Sequence, residues 1–170
     1  MAGGGTGGSC ASPGIKINEV STRGVNASDE FVELYNLSQN VITLTGYTIT
    51  VAGADGANPV VIWTGTSSDE ITSQDFFVIG GATFSGADST FIVSNALPND
   101  GGIGLTSATT TDAVAWGTLS TPNHPFQEGQ PTSNGATGTS MARIPNGEDC
   151  NDNATDFELK TRSPGASNNP

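Results

Sequence analysis

Glycine, proline, asparagine and aspartate interrupt this chain so often that no apolar run can build the long stripe of an amphipathic helix. The sequence of 170 residues holds 23 Gly and 9 Pro. Between these breaks lie short segments that alternate apolar and polar, the period of a half-buried strand. In residues 15–20 (IKINEV), Ile15, Ile17 and Glu19 share one face, and Lys16, Asn18 and Val20 the other. Residues 30–37 (EFVELYNL) carry apolar side chains on both faces, as suits a strand near the middle of a sandwich. Residues 41–51 follow, with Thr45-Gly46 predicting a bulge or bend. Further strands are predicted at 60–63, 75–80, 90–93, 103–106, 112–116 and 140–144. Asp100-Gly101-Gly102 and residues 107–111 read as hairpin connections. Residues 117–139 hold Pro122, Pro125 and Pro131 and predict a long, partly mobile surface loop. Residues 145–170 are turn-rich, anchored by Phe157 and Leu159. The pattern predicts one antiparallel β-sandwich over 15–170, preceded at 1–14 by a flexible Gly-rich arm. No repeat of fixed period points to a propeller or solenoid.

Charge narrows the partners. Five Lys and Arg stand against 17 Asp and Glu, a formal net charge of −12. Lys16, Arg23, Arg143, Lys160 and Arg162 are scattered, whereas a phosphate backbone needs clustered cations. A nucleic-acid or anionic-lipid partner is therefore not expected. No stretch approaches the length of a bilayer-spanning helix. No leader is legible around Met1, so an exported form would have lost its signal upstream.

Cys10 and Cys150 are the two cysteines. An acidic, Lys-poor β chain suits an extracellular setting, where such a pair forms a disulfide. The bridge would close a loop of about 140 residues, worth roughly 4–5 kcal/mol on the chain-entropy relation. Two unrelated thiols of a cytosolic protein are the other reading.

Several segments together resemble the lamin tail domain. They are Ile17-Asn18-Glu19-Val20, Asp29 to Asn36 (DEFVELYN), Val41 to Tyr47 (VITLTGY), and Arg143-Ile144-Pro145-Asn146-Gly147. Asp149, Asn151, Asp152, Asn153 and Asp156-Phe157 follow, then Ser163-Pro164-Gly165-Ala166 with Asn168. The resemblance covers roughly residues 15–168. It implies an all-β fold, an immunoglobulin-like antiparallel β-sandwich. It also implies a non-catalytic module that binds or spaces. In animals such domains close nuclear intermediate-filament proteins; in bacteria they accompany hydrolases in exported proteins. This chain has no coiled-coil heptads, basic localisation run or prenylation motif. It is therefore identified with the bacterial exported type: extracellular or at the cell surface, monomeric, with an unknown protein or envelope partner.

The strongest chemical candidate is residues 148–156. Glu148, Asp149, Asn151, Asp152 and Asp156 offer the oxygen ligands calcium takes, although Ala154 and Lys160 break an EF-hand pattern. The plainer reading is a turn in which these side chains cap backbone N–H groups. Calcium is the one cofactor the sequence suggests. Trp63, Trp116 and Tyr47 could stack on a sugar, giving a calcium-assisted carbohydrate-binding module as the alternative function; core packing is the competing reading. Glu33, flanked by apolar residues, is either a rim carboxylate or a buried one paired with Arg143. His124 reads as an exposed loop residue, and no G-x-S-x-G accompanies it. Asn26, Asn36 and Asn153 begin N-x-S/T sequons.

Overall fold

The computed structural model describes residues 10, 12–26, 28–93, 96–109 and 111–168. Residues 1–9 and 11, most of the expected N-terminal arm, lie outside the described residues. In chain order the elements are β1 (Ile15–Ser21), β2 (Phe31–Asn36), β3 (Ile42–Thr43), β4 (Thr48–Gly53), β5 (Val60–Thr64), β6 (Glu70–Ile71), β7 (Phe76–Gly80), β8 (Ser89–Thr90), β9 (Gly101–Thr106), β10 (Thr111–Trp116), β11 (Thr139–Arg143), α1 (Asn153–Asp156) and β12 (Phe157–Thr161). One sheet has six strands in the order β12-β11-β1-β2-β7-β8, and a second has four in the order β10-β9-β4-β5. β3 and β6 form a short separate pair. Every named pairing is antiparallel except β7 with β8. This is an immunoglobulin-like β-sandwich, the solution that buries one face of each sheet against the other.

The core lies between the two larger sheets. Ile15, Ile17 and Leu34 meet Ile49, Trp63, Ile103, Leu105 and Trp116 in one buried cluster. Each such side chain contributes about 1.5–3 kcal/mol by leaving water. Trp63 and Trp116 are 2% and 0% exposed, and Tyr47 is also buried. The indole N–H groups donate to Ser89 Oγ at 2.9 Å and to the Pro98 carbonyl at 3.2 Å. The three aromatic residues are therefore core and present no sugar-stacking face.

Several expectations need correction. The predicted strand at 41–51 is two strands, because the chain turns at Gly46 (φ +82°) and β3 and β4 then join different sheets. The strand predicted at 90–93 stops at Thr90, leaving Ile92 and Val93 exposed. Gly101 and Gly102 do not form a hairpin turn. They open β9, where a Cβ on Gly101 would lie 2.3 Å from the Ala52 carbonyl oxygen. Residues 117–139 contain little regular structure but pack closely. Phe126 covers Gly104, Thr132 bridges to Trp116, and His124 is buried with Nε2 against the Gly53 carbonyl at 2.9 Å. β6, α1 and β12 were not expected. Phe157 anchors β12 in the core, whereas Leu159 is half exposed.

Candidate functional site

The sandwich buries an unusual number of charges at one end, gathered around Arg143. This side chain is fully buried and donates in five directions: Nε to the Ile17 carbonyl at 2.8 Å, and Nη1 to the Glu148 carbonyl at 2.7 Å, Asp149 at 3.5 Å and Asp156 at 3.2 Å. Nη2 reaches Asp112 at 2.9 Å. The guanidinium lies 4.3 Å from the Phe157 ring centroid, a cation–π contact. Lys16, also buried, pairs with Asp149. Asp112 in turn accepts the Ile17 N–H at 2.6 Å. Burial pushes Asp149 upward, but the hydrogen bond from Lys16 and the charges of Arg143 and Lys16 overcome it and hold this acid low. Glu128 lies against the cluster, with Asp112, Glu128 and Asp149 oxygens within 4.8 Å of one another. Burial, with Asp112 and Asp149 adding repulsion, raises Glu128 to about 7. Arg143 and Lys16 therefore supply the countercharge for these acids, and the cluster joins β1, β10, β11 and the 148–156 turn.

The residues predicted to hold calcium lie in and beside this cluster, and most of their oxygens face protein. Asp149 and Asp156 face Arg143. Asp156 Oδ2 also accepts the Cys150 N–H at 2.9 Å. Asp152 is the N-cap of α1, accepting the Ala154 N–H at 3.2 Å, and it also accepts the Gln130 N–H at 3.2 Å. Glu148 accepts the Cys10 N–H at 2.7 Å. Asn151 stands at φ +58°, a left-handed conformation that asparagine tolerates. Its own N–H donates to Asp149 at 3.2 Å. Cys10 and Cys150 form a disulfide, with Cα atoms 5.0 Å apart.

Glu33 does not pair with Arg143. The register sets Glu19 opposite Ala142 on one side and opposite Glu33 on the other. Cross-strand partners share a face, so Arg143, one residue beyond Ala142, points to the opposite side of the sheet. Glu33 is buried on the outer face beneath the C-terminal segment. It accepts Asn18 Nδ2 at 2.9 Å and the Gly165 N–H at 2.6 Å. Glu19 accepts the Ser163 N–H at 2.9 Å and the Ser140 hydroxyl. Asn168 Nδ2 donates to the Asn18 and Arg143 carbonyls, each at 3.1 Å. Gly147 donates to Asn18 Oδ1 at 2.9 Å. Its φ is +70° and a Cβ would lie 2.5 Å from Leu37, so only glycine fits. The opening and closing motifs thus bond to each other in three dimensions.

This latch has a pH signature. Burial raises Glu33 to about 8 against the Asn18 and Gly165 hydrogen bonds, with Glu19 and Asp88 adding repulsion, and burial also raises Glu19. The folded state therefore keeps a proton that the unfolded chain gives up near pH 4.5. The stability is fully present below that pH and is lost as pH climbs through about 8. Urea titrations at pH 5 and pH 9 should differ by several kcal/mol, about 4 kcal/mol from Glu33 and a further share from Glu30 and Glu128, each raised to about 7 by burial. Glu33→Gln should flatten the profile; a variant that falls as steeply as the parent would remove Glu33 from this account.

Of the sequons, Asn36 and Asn153 are buried and hydrogen-bonded, and Asn26 is exposed. No helix among the described residues is long and apolar enough to cross a membrane. Compared with known families, residues 9–119 match the Lamin Tail Domain. The closing motif at 143–168 lies beyond that match, yet β11 and β12 extend the sheet that β1 and β2 begin. No curated protein matches the chain.

Proposed function

The chain belongs to the lamin tail domain family, and we propose that it serves as a non-catalytic interaction module of an exported or cell-surface bacterial protein. The observation that carries the exported setting is the Cys10–Cys150 bridge, since disulfides persist in oxidising compartments and are rare in the cytosol. The −12 charge and the scattered cations fit a partner that is protein or envelope material rather than nucleic acid. The family is one of immunoglobulin-like, non-enzymatic domains. The perturbed acids are tied to Arg143, Lys16, Ser140, Asn18 and backbone N–H groups, which gives them structural work. His124 is held by backbone and has no nucleophile bonded to it among the described residues. The carbohydrate alternative loses its aromatic platform to the core.

The test is thiol trapping in the source cell. Alkylation under denaturing conditions should leave Cys10 and Cys150 unmodified until a reductant is added, with the protein outside the cytoplasmic fraction. Recovery of both thiols free from cytosol would sink the exported reading.

A further inference from the structure

After β12 the chain turns back over β1 and β2 as a strap, residues 162–168, on the outer face of the six-stranded sheet. Its root is fixed. Arg162 pairs with Asp29 at 3.1 Å, and its guanidinium lies 5.1 and 5.4 Å from the Phe31 and Phe84 ring centroids. Beyond the root no apolar side chain is buried. Pro164, Gly165, Ala166 and Ser167 are exposed, and a Cβ on Gly165 would meet no atom within 4 Å. Hydrogen bonds do the fastening. Ser163 gives its N–H to Glu19 Oε1 at 2.9 Å and its hydroxyl to Glu19 Oε2 at 3.2 Å. Gly165 gives its N–H to Glu33. At the far end the buried Asn168 clamps the Asn18 and Arg143 carbonyls, and its N–H donates to Asn146 Oδ1 at 3.0 Å.

What the strap covers is a pair of like charges. Glu19 and Glu33 are direct cross-strand partners and share one face, and both are 0% exposed. Two carboxylates set opposite each other repel, and a dry site multiplies the cost of ionising both. The surroundings do not offset that cost. The strap itself carries no titratable side chain from 163 to 168. Asp88, ahead of β8, adds negative charge at Glu33. Arg162 acts on Glu19 from the root but is engaged with Asp29. On β12, Lys160 pairs with Glu158 at 3.1 Å. β11 contributes Ser140 and Ala142 to this face, and β7 sets Val78 opposite Glu33. Lifting the strap would let water reach both acids.

We propose that the strap is a proton-controlled cover: it stays closed over Glu19 and Glu33 while the pair keeps a proton, and it swings out on its Arg162 root as that proton leaves, baring the outer face of β1 and β2. The two states differ in proton affinity because the closed one is dry and the open one wet. Burial raises Glu33 from 4.5 to about 8 when the strap is closed. Closure is therefore fully favoured below about pH 4.5 and is lost as pH rises through about 8. Between those limits the ratio of closed to open molecules falls about tenfold per pH unit for one proton released. The sandwich itself stays folded, since Ile15, Ile17, Val32 and Leu34 of the same strands remain in the core on the opposite face. This local opening goes beyond the exported-module reading and does not depend on it.

The experiment is an NMR titration of the full chain, disulfide intact, from pH 5 to pH 9, with carbon-13 in the alanine methyl groups and the glutamate carboxyls. The Glu33 carboxyl should titrate near pH 8. The methyls of Ala166 on the strap and of Ala142 beside Glu19 should shift with the same midpoint. Ala166 should then relax like a free chain end, while the buried Ala52 and Ala115 of the other sheet stay unchanged. Glu33→Gln removes the charge and keeps an oxygen for Gly165, so its strap should remain ordered at pH 9. Asn168→Ala leaves both acids in place and removes the far clamp. It should lower the midpoints of opening and of Glu33 titration together, by up to about one pH unit, a tenfold loss of closure. Four results would overturn the proposal: Ala166 still ordered at pH 9 with Glu33 ionised, Glu33 already ionised at pH 5, opening of Glu33→Gln at the parent's pH, or an unmoved Glu33 midpoint in Asn168→Ala. Movement of Ala52 and Ala115 together with Ala166 would also reject it, because the whole domain would then be unfolding.

Discussion

Arg143→Met is expected to destabilise the domain by about 3–5 kcal/mol, the scale for removing one partner of a buried ion cluster. Methionine fills much of the same volume, so the loss would come from charge rather than from a cavity. Among the described residues, Arg143 is the only group that touches Asp112, Asp149 and Asp156 together. Without it Lys16 remains for Asp149, while Asp112 and Asp156 keep backbone donors but no cation in contact. Two carbonyl oxygens, of Ile17 and Glu148, lose their donor as well. Lysine at this position would restore the charge but not the planar fork that reaches several acceptors at once, so Arg143→Lys should recover only part of the stability. Adding Asp112→Asn to Arg143→Met should return some of the loss, because one uncompensated charge then disappears. Chemical denaturation of the four proteins is the measurement. A methionine variant within about 1 kcal/mol of the parent would mean that water reaches the cluster and screens it.

The strands were legible because their signal is local. The alternation in residues 30–37 reports faces of a sheet whatever the partner strands are, and β2 forms there with Val32 and Leu34 in the core. β1 also forms where residues 15–20 alternate, but the expected faces are corrected by a register shift between Ile17 and Glu19: Ile15, Ile17 and Val20 all enter the core, and Glu19 turns to the outer face beside Glu33. Partner choice is another matter. Asp112 lies on β10 in the second sheet, and no spacing in the sequence ties it to Arg143. For Glu33, sequence offers only burial and sign, which leave a rim carboxylate and a buried pair with Arg143 both open. Deciding between faces needed the register, which places Glu33, Glu19 and Ala142 in one row and turns Arg143 away from it. The His124 loop misled for a related reason. Prolines and glycines predict irregular backbone correctly, but irregular backbone still packs where a neighbouring strand offers glycine. Gly104 on β9 admits the Phe126 ring, and Gly102 lies against His124. β12 has a faint signal in Phe157-x-Leu159, obscured by the acidic turn before it and by an edge position that leaves Leu159 half exposed. In the candidate calcium segment the residue types were right for oxygen ligands. What the sequence could not convey is that Arg143 and several backbone N–H groups converge on the same oxygens.

Reduction of the Cys10–Cys150 bridge is expected to lower Tm by roughly 10–20 °C, from about 5 kcal/mol of lost loop closure. The two residues are 140 positions apart, so nearly the whole chain lies inside the loop, and the effect acts mainly on the unfolded state. The spectrum of the folded protein should therefore change little beyond Cys10 and the 148–151 turn. A Cys10→Ser, Cys150→Ser double variant should melt like the reduced protein, which separates loss of the bridge from any side effect of the reductant. The bridge and the Arg143 cluster also share a turn. Cys150 donates its N–H to Asp156, the same acid that faces Arg143, and Arg143 holds the Glu148 carbonyl two residues before Cys150. With the disulfide intact, that turn stays near the sheet even when Arg143 is gone; once it is reduced, neither tie remains. Arg143→Met should accordingly cost more in the reduced protein than in the oxidised one, by about 0.5–3 kcal/mol, the range found for residues that share a network. Strict additivity of the two losses would show that the bridge anchors Cys10 alone and leaves the turn to the ion cluster.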